Sequence, residues 1–343
     1  MRAVAPYVPG EQPGAGRRVI KLNTNENPYP PSPGVLEALA RAANEQVRFY
    51  PDPDATALRA RAAEVYGVGV DHILAGNGSD ELLALVLRAT IDPGDRVAFP
   101  VPTYSLYDTL VELQGGEAVR VPFPADFSLP PALSTAGARV TFLCNPNSPS
   151  GTLVPVAAVE RLAREITGIL VVDEAYVDFA SEHALGLIER YPHVMVLRTL
   201  SKSFSLAGLR VGLAVGHPDL LRGLRTVKDS YNLNRLSQVG AEAALADRAT
   251  MEANVARIRT TRAALTAGLE RLGYHVLPSE ANFVLARRAG MGQGPVAHAL
   301  AARDILVRHF ATTGLDDALR ITVGTDAEVA TLLEALGQVL GGA

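Results

Sequence analysis

VTFLCNPNSPSGTLVPVAAVERLAREITGILVVDEAY, residues 140–176, reads as strand, loop, helix and strand. The runs at 140–144 and 169–172 are short and apolar, as strands buried on both faces of a sheet are. Residues 156–166 between them have helical spacing, and apolar strands alternating with helices argue for parallel pairing under helical cover. The pattern continues on either side. Further apolar runs fall at 72–75, 96–100, 194–198 and 211–215, with another helix-like stretch at 81–90. The expectation is an α/β protein with a mainly parallel central sheet in a large domain.

Towards the N-terminus, 35–43 and 55–66 have helical periodicity, separated by the turn-prone Tyr50-Pro51-Asp52-Pro53. From Arg235 to about Leu272 the pattern is helical almost without pause, with Gly240, Gly268 and Gly273 as its weak points. Beyond it, strand candidates at 282–287 and 318–323, a helix at 296–303 and a last helix at 326–339 suggest a smaller α+β domain. The division expected is 46–240 for the large domain, and 1–45 with 241–343 for a discontinuous small one.

Charge excludes some functions. With 32 basic and 36 acidic residues the net charge is -4, which leaves no cationic excess to neutralise a nucleic-acid backbone. No segment approaches the ~18 apolar residues needed to span a membrane. The single cysteine, Cys144, rules out an internal disulfide framework and fits a reducing compartment, so the cytoplasm is the expected location. It lies in the apolar run VTFLC and reads as a buried structural thiol. The seven histidines are scattered with no i, i+4 pair, so no metal site is expected.

Three stretches at strand ends can carry chemistry. In AGNGSDE (75–81) a glycine-rich turn precedes a helix, where converging backbone amides favour an anion such as phosphate. A tight turn capped by Ser79 or Asp80 explains the same residues. In VVDEAY, Asp173 closes a buried strand at the sheet edge where α/β proteins bind ligands, although it also suits a turn cap. In TLSKSFSLAGLR (199–210), small hydroxyl residues flank Lys202 in a compact apolar setting, where desolvation would lower its pKa towards a nucleophilic amine. Arg210 could supply a fixed cation for a phosphate.

SKSFSLAGLRVG, with VVDEAY and NPNSPSGT (145–152) upstream, resembles the fold-type I, pyridoxal-phosphate (PLP)-dependent aminotransferases of classes I and II. KLNTNENPYP (21–30), RFYPDP (48–53), GNGSDE and ALRITVGT (318–325) look like the branch of that family acting on histidinol phosphate. The resemblance implies that Lys202 holds PLP as a Schiff base and later shuttles a proton, that Asp173 pairs with the pyridine nitrogen, and that Tyr176 bonds the ring O3′. It implies Tyr104 on the ring face, and Gly78, Ser79, Asp80, Thr199, Ser201 and Arg210 around the phosphate. Tyr50 would reach the phosphate in a neighbouring subunit, giving a homodimer with shared active sites. Arg320 would clamp the substrate carboxylate, Arg308 a substrate phosphate, and Asn27 would also bind substrate.

One departure concerns the O3′ contact. The family often has asparagine just before Pro-Ser/Thr-Gly, where this chain has Ser148, with Asn147 one step earlier. Either Asn147 takes over through a shifted loop or Tyr176 carries O3′ alone. The reaction implied exchanges an amino group between L-histidinol phosphate and 2-oxoglutarate. The alternatives are an aromatic amino acid aminotransferase and a PLP-dependent decarboxylase of a phosphorylated amino acid.

Overall fold

The structure, a computed structural model, describes residues 10–14, 16, 18–311 and 314–341. Residues 1–9 of the expected small domain lie outside the described residues. A short strand, β1 (Ile20–Leu22), precedes the large sheet. That sheet comprises β2 (Ile73–Asn77), β3 (Arg96–Val101), β4 (Glu117–Pro122), β5 (Val140–Cys144), β6 (Ile169–Asp173), β7 (Val194–Thr199) and β8 (Val211–Gly216). Its spatial order is β2-β8-β7-β6-β5-β3-β4. Neighbours from β7 to β4 pair in parallel, whereas β8 runs antiparallel to both β2 and β7. The sheet is therefore mainly parallel with a reversed strand beside one edge.

Successive side chains on the central strands feed opposite core layers, as the two-residue period of a strand requires. Leu143, Val172 and Val196 pack into one layer, and Phe142, Val171 and Leu197 into the other. All six are fully buried, which is why these strands lack polar alternation. By contrast β4 was not expected. It is an edge strand with exposed Glu117, Arg120 and Pro122, too polar to stand out from a loop.

The remaining strands form a second sheet: β9 (His275–Val276), β10 (Phe283–Arg287), β11 (Ile305–His309) and β12 (Ala318–Thr322), in the order β1-β11-β12-β10-β9. The N-terminal strand β1 pairs in parallel with Ile305–Val307, so the start of the chain completes this sheet. Strands β1 and β9 are two or three residues long and give no readable periodicity.

The helical stretch from Arg235 is two helices, Arg235–Ala246 and Arg248–Arg271, and the break is not at a glycine. Asp247 interrupts it by capping the second helix, its carboxylate accepting from the Thr250 amide at 3.3 Å and the Thr250 hydroxyl at 2.9 Å. Gly268 instead lies inside the second helix for reasons of space: a Cβ there would fall 2.3 Å from Leu333. Among the described residues no helix is long and apolar enough to cross a membrane.

Candidate active site

The carboxyl ends of β5, β6 and β7 open into one cavity of about 910 Å³, which the second sheet and residues from the N-terminal segment help to enclose. Lys202 lies on the loop after β7. Its Nζ donates to Thr24 O at 3.3 Å and stands 5.7 Å from the Tyr176 ring centre. Burial, reinforced by the nearby Arg320 cation, lowers its pKa to about 8. A usable fraction is then the neutral amine near neutral pH.

Asp173 ends β6 and is 2% exposed. Burial raises its carboxyl to about 6, against the opposing effect of a hydrogen bond from Tyr107. The Tyr107 hydroxyl donates to Asp173 Oδ2 at 2.9 Å, and the Ala175 amide donates to Oδ1 at 3.2 Å. Asp173 therefore does brace the following turn. Its other feature is a carboxylate held in a place that disfavours its charge, which suits a cationic ligand.

In the same cavity an anion cradle is built from four chain segments. The helix Ser79–Thr90 starts there with no side-chain cap, so its first amides are available to a ligand. Gly78 adopts φ 82°, and a Cβ on it would lie 2.6 Å from Arg210 Nη2. Gly212, on β8, passes so close that a Cβ would lie 2.5 Å from Gly78 C and Ser79 N. Thr199 and Ser201 line the same wall, their hydroxyls 3.0 Å apart. Arg210 donates from Nη2 to Asp80 Oδ2 at 2.9 Å, and Tyr104 donates to Asp80 Oδ1 at 3.0 Å. Asp80 thus holds the cation and the aromatic ring in place from one side chain.

Arg320 and Arg308 face each other in register across β12 and β11, and both line the cavity. Arg320 donates from Nη1 to Ser148 Oγ at 3.2 Å and from Nη2 to Asn23 O at 2.9 Å. Its guanidinium lies 5.3 Å from the Phe283 ring centre, and that of Arg308 lies 5.3 Å from the Phe310 ring centre.

Three anticipated side chains stand elsewhere. Asn147 is fully buried, and its amide is taken up by its own loop and the one after β3: it accepts from Thr103 Oγ1 at 2.7 Å and donates to Pro102 O and Ser150 Oγ. No donor is left for a cofactor, and Ser148 is the member of the pair that reaches the cavity. Asn27 does not line the cavity but ties the chain to the lysine loop, donating to Lys202 O and Ser203 O at 3.0 Å each. Tyr50 is 79% exposed and stacks on Tyr231, with ring centres 4.4 Å apart.

Two residues went unnoticed in the sequence. Tyr107 lies three residues past Tyr104, inside the first turn of the helix Leu106–Gln114, and nothing local points from it to Asp173. Asn25 donates to Tyr176 Oη at 3.0 Å and lies in KLNTNENPYP among two other asparagines, with nothing local to single it out.

A mainly parallel sheet with its lysine loop leading into a reversed strand, and a lysine and aspartate presented at the same edge, defines a fold-type I, PLP-dependent transferase. The chain belongs to the aminotransferase class I and II family, whose sequence model matches residues 17–336. Histidinol-phosphate aminotransferase 1 of Trichormus variabilis is 47% identical over 341 residues, covering 99% of this chain and 97% of its own length. The histidinol-phosphate aminotransferase of Gluconacetobacter diazotrophicus is 46% identical, with 98% and 96% covered. The crystal structure of histidinol-phosphate aminotransferase from Sinorhizobium meliloti, in complex with PLP, superposes with a TM-score of 0.88 at 28% identity, covering 95% of this chain and 92% of that one.

Proposed function

We propose that this chain uses PLP to move an amino group between L-histidinol phosphate and 2-oxoglutarate, giving imidazole acetol phosphate and L-glutamate, as a step of histidine biosynthesis. The observation that carries the reading is the registered pair Arg308–Arg320. It offers two cations to a substrate anion while the Gly78–Arg210 cradle remains for the cofactor phosphate. Glutamate brings a carboxylate and histidinol phosphate a phosphate to the same pair. The names of the relatives point the same way.

PLP, when bound, supplies a carbonyl carbon that amines add to and a ring that takes up the electrons left when the substrate Cα proton departs. In our reading Lys202 Nζ carries the cofactor and, once freed, accepts and returns that proton. Asp173 pairs with the ring nitrogen, and a cation there offsets the burial that now disfavours its charge. Tyr176 donates to the ring O3′ and Tyr104 covers the ring face. Arg210, Thr199, Ser201 and the Gly78–Asp80 backbone hold the phosphate. Ser148 steadies Arg320. The division into 46–240 and 1–45 with 241–343 places one sheet in each domain, and the lone buried thiol suits a cytoplasmic enzyme.

Adding donors to the PLP-loaded protein and following its visible absorbance tests the substrate. Histidinol phosphate should discharge the cofactor band at lower concentration than any aromatic amino acid, with no carbon dioxide released. An aromatic amino acid discharging it first, or release of carbon dioxide, would refute the assignment. The two arginines separate further. Arg308→Ala should cost histidinol phosphate about ten- to a hundredfold in kcat/KM and an aromatic amino acid much less, because a phosphate ester carries about two charges. Arg320→Ala should impair both donors. Equal losses in the Arg308 variant would leave the phosphate preference without its physical basis.

The exposed Tyr50 is proposed to serve the active site of a second copy in a homodimer. Mixed dimers of Tyr50→Phe and Lys202→Ala chains should then hold one site with both defects and one with neither, so mixing two weak variants should restore activity. Verified mixed dimers that stay inactive would assign Tyr50 to its own subunit.

A further inference from the structure

Asn25 has no role in the account so far, yet every polar atom on it is engaged. It is 2% exposed, lines the cavity, and adopts φ 59°, a left-handed conformation that asparagine tolerates better than most side chains. Its backbone N–H donates to Thr322 Oγ1 at 2.9 Å, and the same hydroxyl donates to Asn25 Oδ1 at 3.0 Å. Asn282 Nδ2 donates to Asn25 O at 2.9 Å. The remaining bond runs from Asn25 Nδ2 to Tyr176 Oη at 3.0 Å.

The directions of these bonds set the roles of the Asn25 amide. Thr322 gives its one hydroxyl proton to the amide oxygen while accepting the Asn25 backbone N–H. That turns Oδ1 towards Thr322 and leaves the NH₂ for Tyr176. A phenol oxygen that accepts from this NH₂ keeps its own proton to give, and Tyr176 opens on the cavity. Thr322 lies two residues beyond Arg320 on β12, the strand that carries the substrate arginine.

We propose that Asn25 is a positioning residue: anchored to the Arg320 strand through Thr322, it holds Tyr176 Oη as an acceptor and so aims the phenol proton into the cavity. The inference rests on the assignment of Tyr176 to the cofactor ring oxygen. It links the grip on that oxygen to the strand that grips the substrate.

The test follows the visible absorbance of the PLP-loaded protein against pH, without substrates. A hydrogen bond to the ring oxygen draws off negative charge that would otherwise hold the neighbouring titrating proton, so its loss raises the pH midpoint. Tyr176→Phe sets the full shift. Asn25→Gly preserves the left-handed backbone and its bond to Thr322 while deleting the amide. It should raise the midpoint by ~0.5–1 unit, and the Asn25→Gly/Tyr176→Phe double variant should go no higher than Tyr176→Phe alone.

Asn25→Asp keeps size and backbone preference but offers only acceptors, so it should attract the phenol proton away from the cavity. Its midpoint should exceed that of the glycine variant, and the excess should vanish in the Tyr176→Phe background, where a through-space charge effect would persist. A space-filling role predicts the opposite order, with aspartate the milder change. An unmoved midpoint in Asn25→Gly beside a raised one in Tyr176→Phe overturns the relay and leaves the Tyr176 assignment standing. An unmoved midpoint in Tyr176→Phe overturns both.

Discussion

Lys202→Ala protein is expected to lose turnover by ~10⁴-fold or more while still binding PLP through its phosphate cradle. The lysine is asked to do two things, and both depend on its setting. Burial and the Arg320 cation bring its pKa to about 8, so the amine can act as nucleophile and as base near neutral pH. Alanine supplies neither. The cradle of Gly78, Ser201 and Arg210 does not involve the ammonium group, so equilibrium dialysis should still find PLP retained, with an absorbance like that of the free aldehyde. A variant within tenfold of the parent in a single-turnover assay would move the chemistry to another group.

With Asp173 pairing with the ring nitrogen as proposed, Asp173→Asn is expected to slow the half-reaction by roughly 10²–10³-fold, because a fixed charge would no longer support that nitrogen where charge changes during reaction. The same substitution should stabilise the ligand-free protein. The folded carboxyl has a pKa of about 6, raised by burial above the ordinary value of 3.8. Between these values the folded state holds a proton that the unfolded state has released, so stability falls as pH rises through about 4 to 6 and stays lower above it. Removing the carboxylate should return on the order of 2–3 kcal/mol at pH 8. The Tyr107 hydroxyl can accept from the new amide, but its own proton then loses Asp173 as acceptor, which offsets part of that gain. Thermal unfolding of the PLP-free proteins at pH 8 checks this. A parent more stable than the variant would show that Asp173 is already well accommodated without its cofactor.

The central strands were legible because burial on both faces forces unbroken apolar runs, and Val140–Cys144 was placed to the residue. Strand β4 and the short β1 and β9 were not, since their identity comes from pairing across the chain rather than from local pattern. That Lys202, Asp173 and Arg210 would meet at one cavity was legible because each sits near a strand end with a distinctive neighbourhood. Asn147 shows the limit. Its sequence position suits a cofactor contact, but whether its amide faces the cavity depends on Thr103 and Pro102, some 44 residues away. The Asn27 amide likewise goes to the Lys202 and Ser203 carbonyls, a contact that no spacing encodes. Tyr107 and Asn25 act through partners distant in sequence, and only the fold brings those partners within hydrogen-bonding range.

The sequence holds three lysines, which makes the central claim unusually easy to test. Lys21 is ion-paired with Glu26 at 2.5 Å, and Lys228, half-buried, donates to Asn232 Oδ1 at 3.1 Å. Only Lys202 lines the cavity. Borohydride reduction of the PLP-loaded protein followed by peptide mass mapping should place the reduced cofactor on the peptide containing Lys202, in close to one equivalent per chain. Modification centred on Lys21 or Lys228, or none on a protein that has bound PLP, would contradict the account.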